Sequence, residues 1–412
     1  MNPEPPLQAQ PRKVDLVVER VWHIGQHVRA LNFAGCMGRV YGGFPAFRYR
    51  KVGVANEQMR TFPLPSVWNL LRQKARLPRA LALNEPALIG GWAAAHRDLA
   101  RYVCCYGTAY RFLFPRLKES GRILILESGS MHVEDHFRFI ERAKKEAGFP
   151  HTETLPPAIA HEIEQAKLAH FVGAGSDMMV ESFVHKGFPR ERILKCNYGI
   201  DTDRFPYTQR SLPHNRPLRI CMVGVIGLRK GILRLIRLNE WAKSRGYDVE
   251  LWLVGPVDPE AAALLARTNA PFRLCGVQKG AALAAVLHQC DLYAIASYEE
   301  GFGLSVIEAM CTGLPALVSS ETGAKEAITP GLNGAILSDY TPGEFDRILG
   351  PLFADPRKLL AMSEPAREKV LSTYSLQHYA ERIRAEYTRM FELVEAHGPG
   401  SFPACFYTNS RK

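Results

Sequence analysis

Short apolar runs alternate with amphipathic stretches along most of the chain. Residues 13–19 (KVDLVVE) read as a buried strand, followed by a loop containing Gly25, a helix to about residue 35 and a second strand near 39–41. The rhythm resumes with a strand at 102–106, a helix to about 118 and a strand at 122–127 (RILILE). A helix at 156–168, a short strand at 170–172 and a helix at 176–186 complete the first half. Strand–helix repetition of this kind builds a parallel α/β layer. A Pro-rich linker (Pro206, Pro213, Pro217) separates it from a second such layer. That layer has strands at 218–223, 249–254 and 291–296, with a helix from Gly231, a loop at 275–279 and a helix at 281–289. Residues 340–355 and 356–370 predict peripheral helices, and 377–396 a last long one.

The densest stretch is residues 297–328, SYEEGFGLSVIEAMCTGLPALVSSETGAKEAI. It leaves a strand through a Gly-rich turn and enters a helix at about Gly303, which should stop at Gly313 with Pro315 beyond. The free backbone N–H groups of Gly303, Leu304 and Ser305, with the macrodipole, form an anion site. Glu300 lies just before it and Glu308 one turn inside. Helical side chains lean back toward the N-terminus, which brings the Glu308 carboxylate up beside the anion. A carboxylate there serves hydroxyls next to the phosphate, as acidic groups grip a ribose diol. Arg229 and Lys230 stand where the second layer's first strand gives way to its helix, the place for a diphosphate. The glycine spacing of that loop (224–231) excludes a Walker loop.

Glu300 and Glu308, flanking Gly-Phe-Gly-Leu and followed by Glu-Ala-Met, Gly-x-Pro and a second Gly-x-x-Glu, resemble the Glu-x7-Glu signature of glycosyltransferase family 4. These are retaining GT-B enzymes that use nucleoside-diphosphate sugars. The resemblance implies two Rossmann-like, doubly wound domains facing a central cleft, with a C-terminal helix crossing back to the first. The expected boundaries are a disordered tail at 1–12, an acceptor-side domain at 13–210 and a nucleotide-sugar domain at 211–375. The crossover helix takes 376–397 and a second tail 398–412. The implied activity is transfer of a sugar from a UDP- or GDP-sugar to a glycan, lipid or small-molecule acceptor, with retention. It implies Lys230 and Arg229 on the diphosphate, Glu308 on the ribose, Glu300 on sugar hydroxyls, and the loop carrying Val277 under the base. Gly25 is placed beside the donor phosphates. His132, just past the strand at 122–127, is placed near the reacting sugar, with His136 as the alternative one turn later. Many family members carry an arginine where this chain has Val225; Arg229 supplies the replacement charge. Two other readings stay open: a GT-B nucleotide-sugar epimerase and a non-catalytic nucleotide-sugar-binding protein.

Asp201-Thr202-Asp203 matches the Asp-x-Asp that other sugar transferases use for a divalent metal. Its setting before the Pro-rich linker reads instead as turn chemistry, so no metal or other cofactor is expected. A formal charge of +11 over 412 residues suits anionic partners. No nucleic-acid-binding motif accompanies it. Residues 68–79 (WNLLRQKARLPR) mix apolar and basic side chains, which fits either an anionic membrane surface or a solvated surface helix. No run of about eighteen apolar residues occurs, since 80–95 is broken by Asn84, Glu85 and Pro86. The nine scattered cysteines lack Cys-x-x-Cys spacing. They point to free thiols in a reducing cytoplasm, with the protein peripheral at the inner membrane face if it docks at all.

Overall fold

The computed structural model describes residues 12–19, 24–212 and 215–397. The expected tails at 1–12 and 398–412 lie outside it except for Arg12. Among the described residues, thirteen strands form two wholly parallel sheets. The first contains β1 (Val14–Val18), β2 (Met37–Gly42), β3 (Met59–Thr61), β4 (Tyr102–Tyr106), β5 (Ile123–Glu127), β6 (Phe171–Ala174) and β7 (Ile193–Lys195), in the order β3-β2-β1-β4-β5-β6-β7. The second contains β8 (Leu218–Val223), β9 (Val249–Val254), β10 (Phe272–Gly276), β11 (Leu292–Ile295), β12 (Ala316–Ser319) and β13 (Gly334–Leu337), in the order β10-β9-β8-β11-β12-β13. The reversal of order beside β1 and beside β8 makes each a doubly wound sheet, as expected. Helices cover both faces, so central strands such as β5 (ILILE) and β11 (LYAI) are buried throughout.

The chain divides into two compact units. One holds the described residues up to Glu134, Leu155–Asn197, and those from Tyr379 onward; the other holds Asp135–Thr154 and Tyr198–His378. This division differs from the sequence boundaries in one instructive way. The helix Val133–Glu146 follows a strand of the first sheet, yet its Ala143 is fully buried in the second unit's core. Tyr298 Oη donates to Glu146 Oε2 at 2.6 Å from the same surface.

In the first unit the helix Ile24–Phe33 buries Ile24, His27, Val28 and Leu31, an i, i+3, i+4, i+7 stripe. The last helix, Leu376–Ala396, packs here from Tyr379 onward: the hydroxyls of Tyr379 and Tyr387 each lie 3.1 Å from a ring nitrogen of His27. Phe391 meets Tyr102 edge-on, 4.7 Å between centroids. Gly25 is not in a loop. It sits in the first turn of its helix, where a Cβ would stand 2.9 Å from Val52 Cβ. Close packing is the reason for glycine there.

Asp201-Thr202-Asp203 does form a turn. Thr202–Arg204 is a single 3-10 turn closed by Arg204 N–H to Asp201 O. No helix among the described residues is long and apolar enough to cross a membrane. The eight described cysteines are free, and all but Cys275 are buried.

Candidate active site

The second unit's site is built on the loop between β11 and the helix Leu304–Cys311. Gly303 starts that helix with φ at +100°, a left-handed turn only glycine adopts without strain. Leu304, Val306, Ile307, Ala309, Met310 and Cys311 are buried, which anchors the helix against the sheet. No side chain caps its start, so the amides of 303–305 keep their outward polarity. Beneath them, Tyr293 of β11 hydrogen-bonds Ser305 Oγ at 2.7 Å, and its hydroxyl lies within electrostatic reach of both Glu300 and Glu308.

The loop is held from both sides. Tyr298 N–H donates to Arg229 O at 2.9 Å, tying it to the loop after β8. Glu300 N–H donates to Glu321 O at 3.1 Å and Gly323 N–H to Glu300 O at 2.9 Å, tying it to the loop after β12. Gly231, at φ +78°, begins the helix Ile232–Ser244; a Cβ there would lie 1.9 Å from Ala296 O. That close approach brings Lys230 to the loop.

The charges then pair. Lys230 Nζ forms an ion pair with Glu300 Oε2, and Arg229 Nη1 lies 3.5 Å from the same oxygen. Arg229 Nη1 also donates to Glu299 O at 2.8 Å and lies 3.3 Å from Glu299 Oε2. Glu299 is wholly buried, and its Oε2 is 2.8 Å from His136 Nδ1. Two cations thus face two carboxylates across the mouth of the loop. Glu308, one turn into the helix, has no such partner strength: burial pushes its carboxyl up from 4.5 to about 7, with Arg204 pulling the other way.

Sequence reasoning placed Arg229, Lys230, Glu300, Gly303, Leu304, Ser305 and Glu308 together, and the structure brings them together. Val277 follows β10 and is exposed, in a loop closed by Gln278 Nε2 donating to Cys275 O at 2.8 Å. His132 departs from expectation. It is 1% exposed, packed edge-on against Phe183, with its N–H donating to Ser182 Oγ at 2.9 Å. Burial lowers its ring to about 4. Of the two histidines it is His136, on the helix Val133–Glu146, whose ring meets the loop, 2.8 Å from Glu299 Oε2. Gly25 lies in the first unit, against Val52.

Two members were missed. Glu299 stands beside the Glu300–Glu308 pair in the sequence and outside its spacing. Arg234 is 2% exposed, its guanidinium 3.7 Å from the Tyr298 ring centroid and 4.7 Å from that of Tyr340. Its Nη1 donates to Ser297 O at 3.0 Å, fixing the start of the loop. A lone arginine inside the apolar run ILRLI (232–236) was the available signal.

Residues 204–369 match the family described as glycosyl transferases group 1. The MMP alpha-(1->4)-mannosyltransferase of Mycolicibacterium hassiacum is 31% identical over 215 residues, 50% of this chain and 50% of that one. The D-inositol 3-phosphate glycosyltransferase of Gordonia bronchialis is 26% identical over 194 residues, 47% of this chain and 37% of that one. The chain thus spans about half the length, or less, of these curated relatives. Among solved structures, sucrose-phosphate synthase from Thermosynechococcus elongatus superposes with a TM-score of 0.67 at 18% identity, covering 93% of this chain and all of that one. Anabaena Alr3699/HepE in complex with UDP and glucose gives 0.64 at 16% identity, covering 92% and 100%. Over residues 204–369 the chain is thus similar to the group 1 glycosyl transferases, and its two-sheet α/β fold is of the GT-B kind.

Proposed function

We propose that the chain transfers a sugar from a nucleoside-diphosphate donor to an acceptor, with retention at the anomeric carbon and without a metal. One observation carries the reading: Lys230 and Arg229 converge with Glu300 at the uncapped start of the helix that bears Glu308, inside the matched module. A diphosphate at the 303–305 amides would take Lys230 over from Glu300. Lys230, Arg229 and the amides would then stabilise charge developing on the leaving diphosphate, a preorganised electrostatic role. Glu300, released from the pair, would accept hydrogen bonds from sugar hydroxyls and help hold the oxocarbenium-like centre. Glu308, protonated in part near neutrality because burial raises it to about 7, would both donate to and accept from the ribose diol. The relatives named for inositol phosphate and mannosyl transfer fit a small-molecule or glycan acceptor, and the neighbours solved with UDP make uridine donors the first to assay.

The test combines thermal stabilisation by a panel of UDP- and GDP-sugars with NMR observation of donor turnover in excess chelator. Ligands that bind the folded state raise its melting temperature. Stabilisation by one nucleotide sugar, and an acceptor-dependent product of retained anomeric configuration, are expected. Donor epimerised without any acceptor, or turnover restored only by magnesium or manganese and abolished by Asp201→Ala, would overturn the proposal.

A further inference from the structure

The helix Leu64–Lys74 in the first unit is built inside out. Leu64, Val67, Trp68 and Leu71 recur at i, i+3, i+4 and i+7, the spacing that ordinarily turns toward a core. Here that stripe faces outward, with Leu64 65% and Leu71 56% exposed. The buried members are Pro65, Ser66 and Arg72. Polar bonds hold the inward face: Ser66 Oγ to Glu85 Oε1, and Arg72 Nη1 to Leu77 O at 3.0 Å.

The chain after the helix folds back along it. Trp68 Nε1 donates to Leu81 O at 2.8 Å, and Asn69 exchanges two hydrogen bonds with Leu83, at 3.0 and 2.9 Å. These bonds satisfy polar groups on the platform and leave Leu77, Leu81 and Leu83 standing out. A soluble surface rarely holds so many large apolar side chains together; a patch of this kind marks a docking site.

Charge identifies the occupant. No Asp or Glu occurs between residues 63 and 84, while Lys74, Arg76 and Arg79 are exposed among the leucines. Apolar side chains with a tryptophan, rimmed by cations and free of acid, match the headgroup boundary of an anionic bilayer. The chain's formal charge of +11 has the same sign. We propose that residues 64–84 seat the protein on an anionic lipid surface. The leucines enter the acyl boundary, and Lys74, Arg76 and Arg79 face the acidic headgroups. Arg72 takes no part, because it is the buried clamp of the platform. The inference does not depend on the sugar-transfer reading.

The test is co-sedimentation of the full-length protein with phosphatidylcholine vesicles, with and without phosphatidylglycerol, at low salt. Binding to the mixed vesicles and little to the neutral ones is expected. Replacing Lys74, Arg76 and Arg79 by Ser should weaken binding about a hundredfold, from roughly fivefold per charge. Leu71→Ser with Leu81→Ser should abolish it while circular dichroism and melting temperature stay as in the wild type, since both side chains are already exposed. Absence of wild-type binding, equal binding to neutral vesicles, or either variant binding like the wild type would each overturn the proposal. A dimer in sedimentation velocity that the leucine variant dissolves, with no vesicle binding, would assign the platform to a second copy of the chain instead.

Discussion

The two units keep their titratable groups in opposite states. In the first, three histidines are buried and neutral. His27 sits between Tyr379 and Tyr387, and burial lowers its ring to about 3; His132 and His170 are held at about 4 by the same cause. Geometry agrees. His170 Nδ1 accepts from Leu124 N–H at 3.0 Å, and His132 Nδ1 from Glu134 N–H at 3.4 Å. Protonation there would aim one N–H at another. In the second unit, charges are kept and paired around the loop that leaves β11, while Glu308 beside them has its carboxyl raised to about 7. These histidines are core groups held without charge, whereas the groups on the loop that leaves β11 are held as ion pairs. That difference predicts opposite responses to pH.

The largest expected effect lies in the first unit. His27, His132 and His170 titrate at 6.5 when unfolded and at about 3 to 4 when folded, so the unfolded chain binds more protons in between. Their stability is full above 6.5 and is lost as pH falls through about 4 to 3, at about 3 to 5 kcal/mol for each histidine. Hydrogen exchange followed by mass spectrometry from neutral pH to about pH 5 should show β4, β5 and β6 losing protection before β8 and β11. Protection lost first in the second unit would break the comparison.

Next comes Lys230→Ala. If the paired charges are catalytic equipment, removing the cation that faces the leaving diphosphate should lower kcat about 10²–10³-fold. Melting temperature should change little, because the lysine's partner Glu300 retains Arg229 nearby. A large loss of stability with kcat intact would mean that the ion pair is structural, and the second unit would then resemble the first.

Glu308→Gln sharpens the contrast. The glutamine should weaken donor and free nucleoside diphosphate alike, by about ten- to a hundredfold, since a hydrogen bond to a charged group contributes roughly 1.5–3 kcal/mol. Its effect on stability should also run opposite to that of the histidines. Glu308 titrates at 4.5 unfolded and about 7 folded, so the native state binds more protons in between. Its contribution is full below 4.5 and is lost as pH rises through about 7, by about 3 kcal/mol. The variant should therefore gain on the wild type in urea unfolding as pH rises from about 5 to 8. A constant gap, or unchanged diphosphate affinity, would remove that role.

How much of this was legible followed from distance along the chain. The central strands were plain because unbroken apolar runs such as RILILE leave one reading. Edge strands β3 (MRT) and β13 (GAIL) are too short and mixed to carry a period, and β10 (FRLCG) is half exposed, so its end read as a loop. The helix Glu85–Ala94 was hidden by Pro86, Gly90 and Gly91, which made an apolar stretch look merely interrupted. In the site, Glu300, the helix start and Glu308 share one strand–turn–helix, so spacing alone joined them. His136 and Glu299 are 163 residues apart, and no local pattern connects them. Position past a strand end says nothing about burial, and Phe183 and Ser182, which close over His132, come from a helix about 50 residues further along.

The smallest effect concerns Glu299, which no spacing revealed. It touches Arg229 and His136, and is wholly buried, so its part is to hold Arg229 where a diphosphate would meet it. Glu299→Gln preserves shape and one acceptor oxygen but removes the charge. A lost charge-assisted hydrogen bond of about 1.5 kcal/mol corresponds to roughly a tenfold fall in kcat. A structural role alone could produce the same fall, so a double-mutant cycle with Arg229→Ala is needed. If Glu299 acts through Arg229, the second substitution costs little once the first is made, and the losses are not additive. Additive losses would show that Glu299 supports the fold independently. Arg229 would then keep its place through the Glu299 carbonyl and Glu300, and Glu299 would join His27 and His132 as a buried group that serves packing.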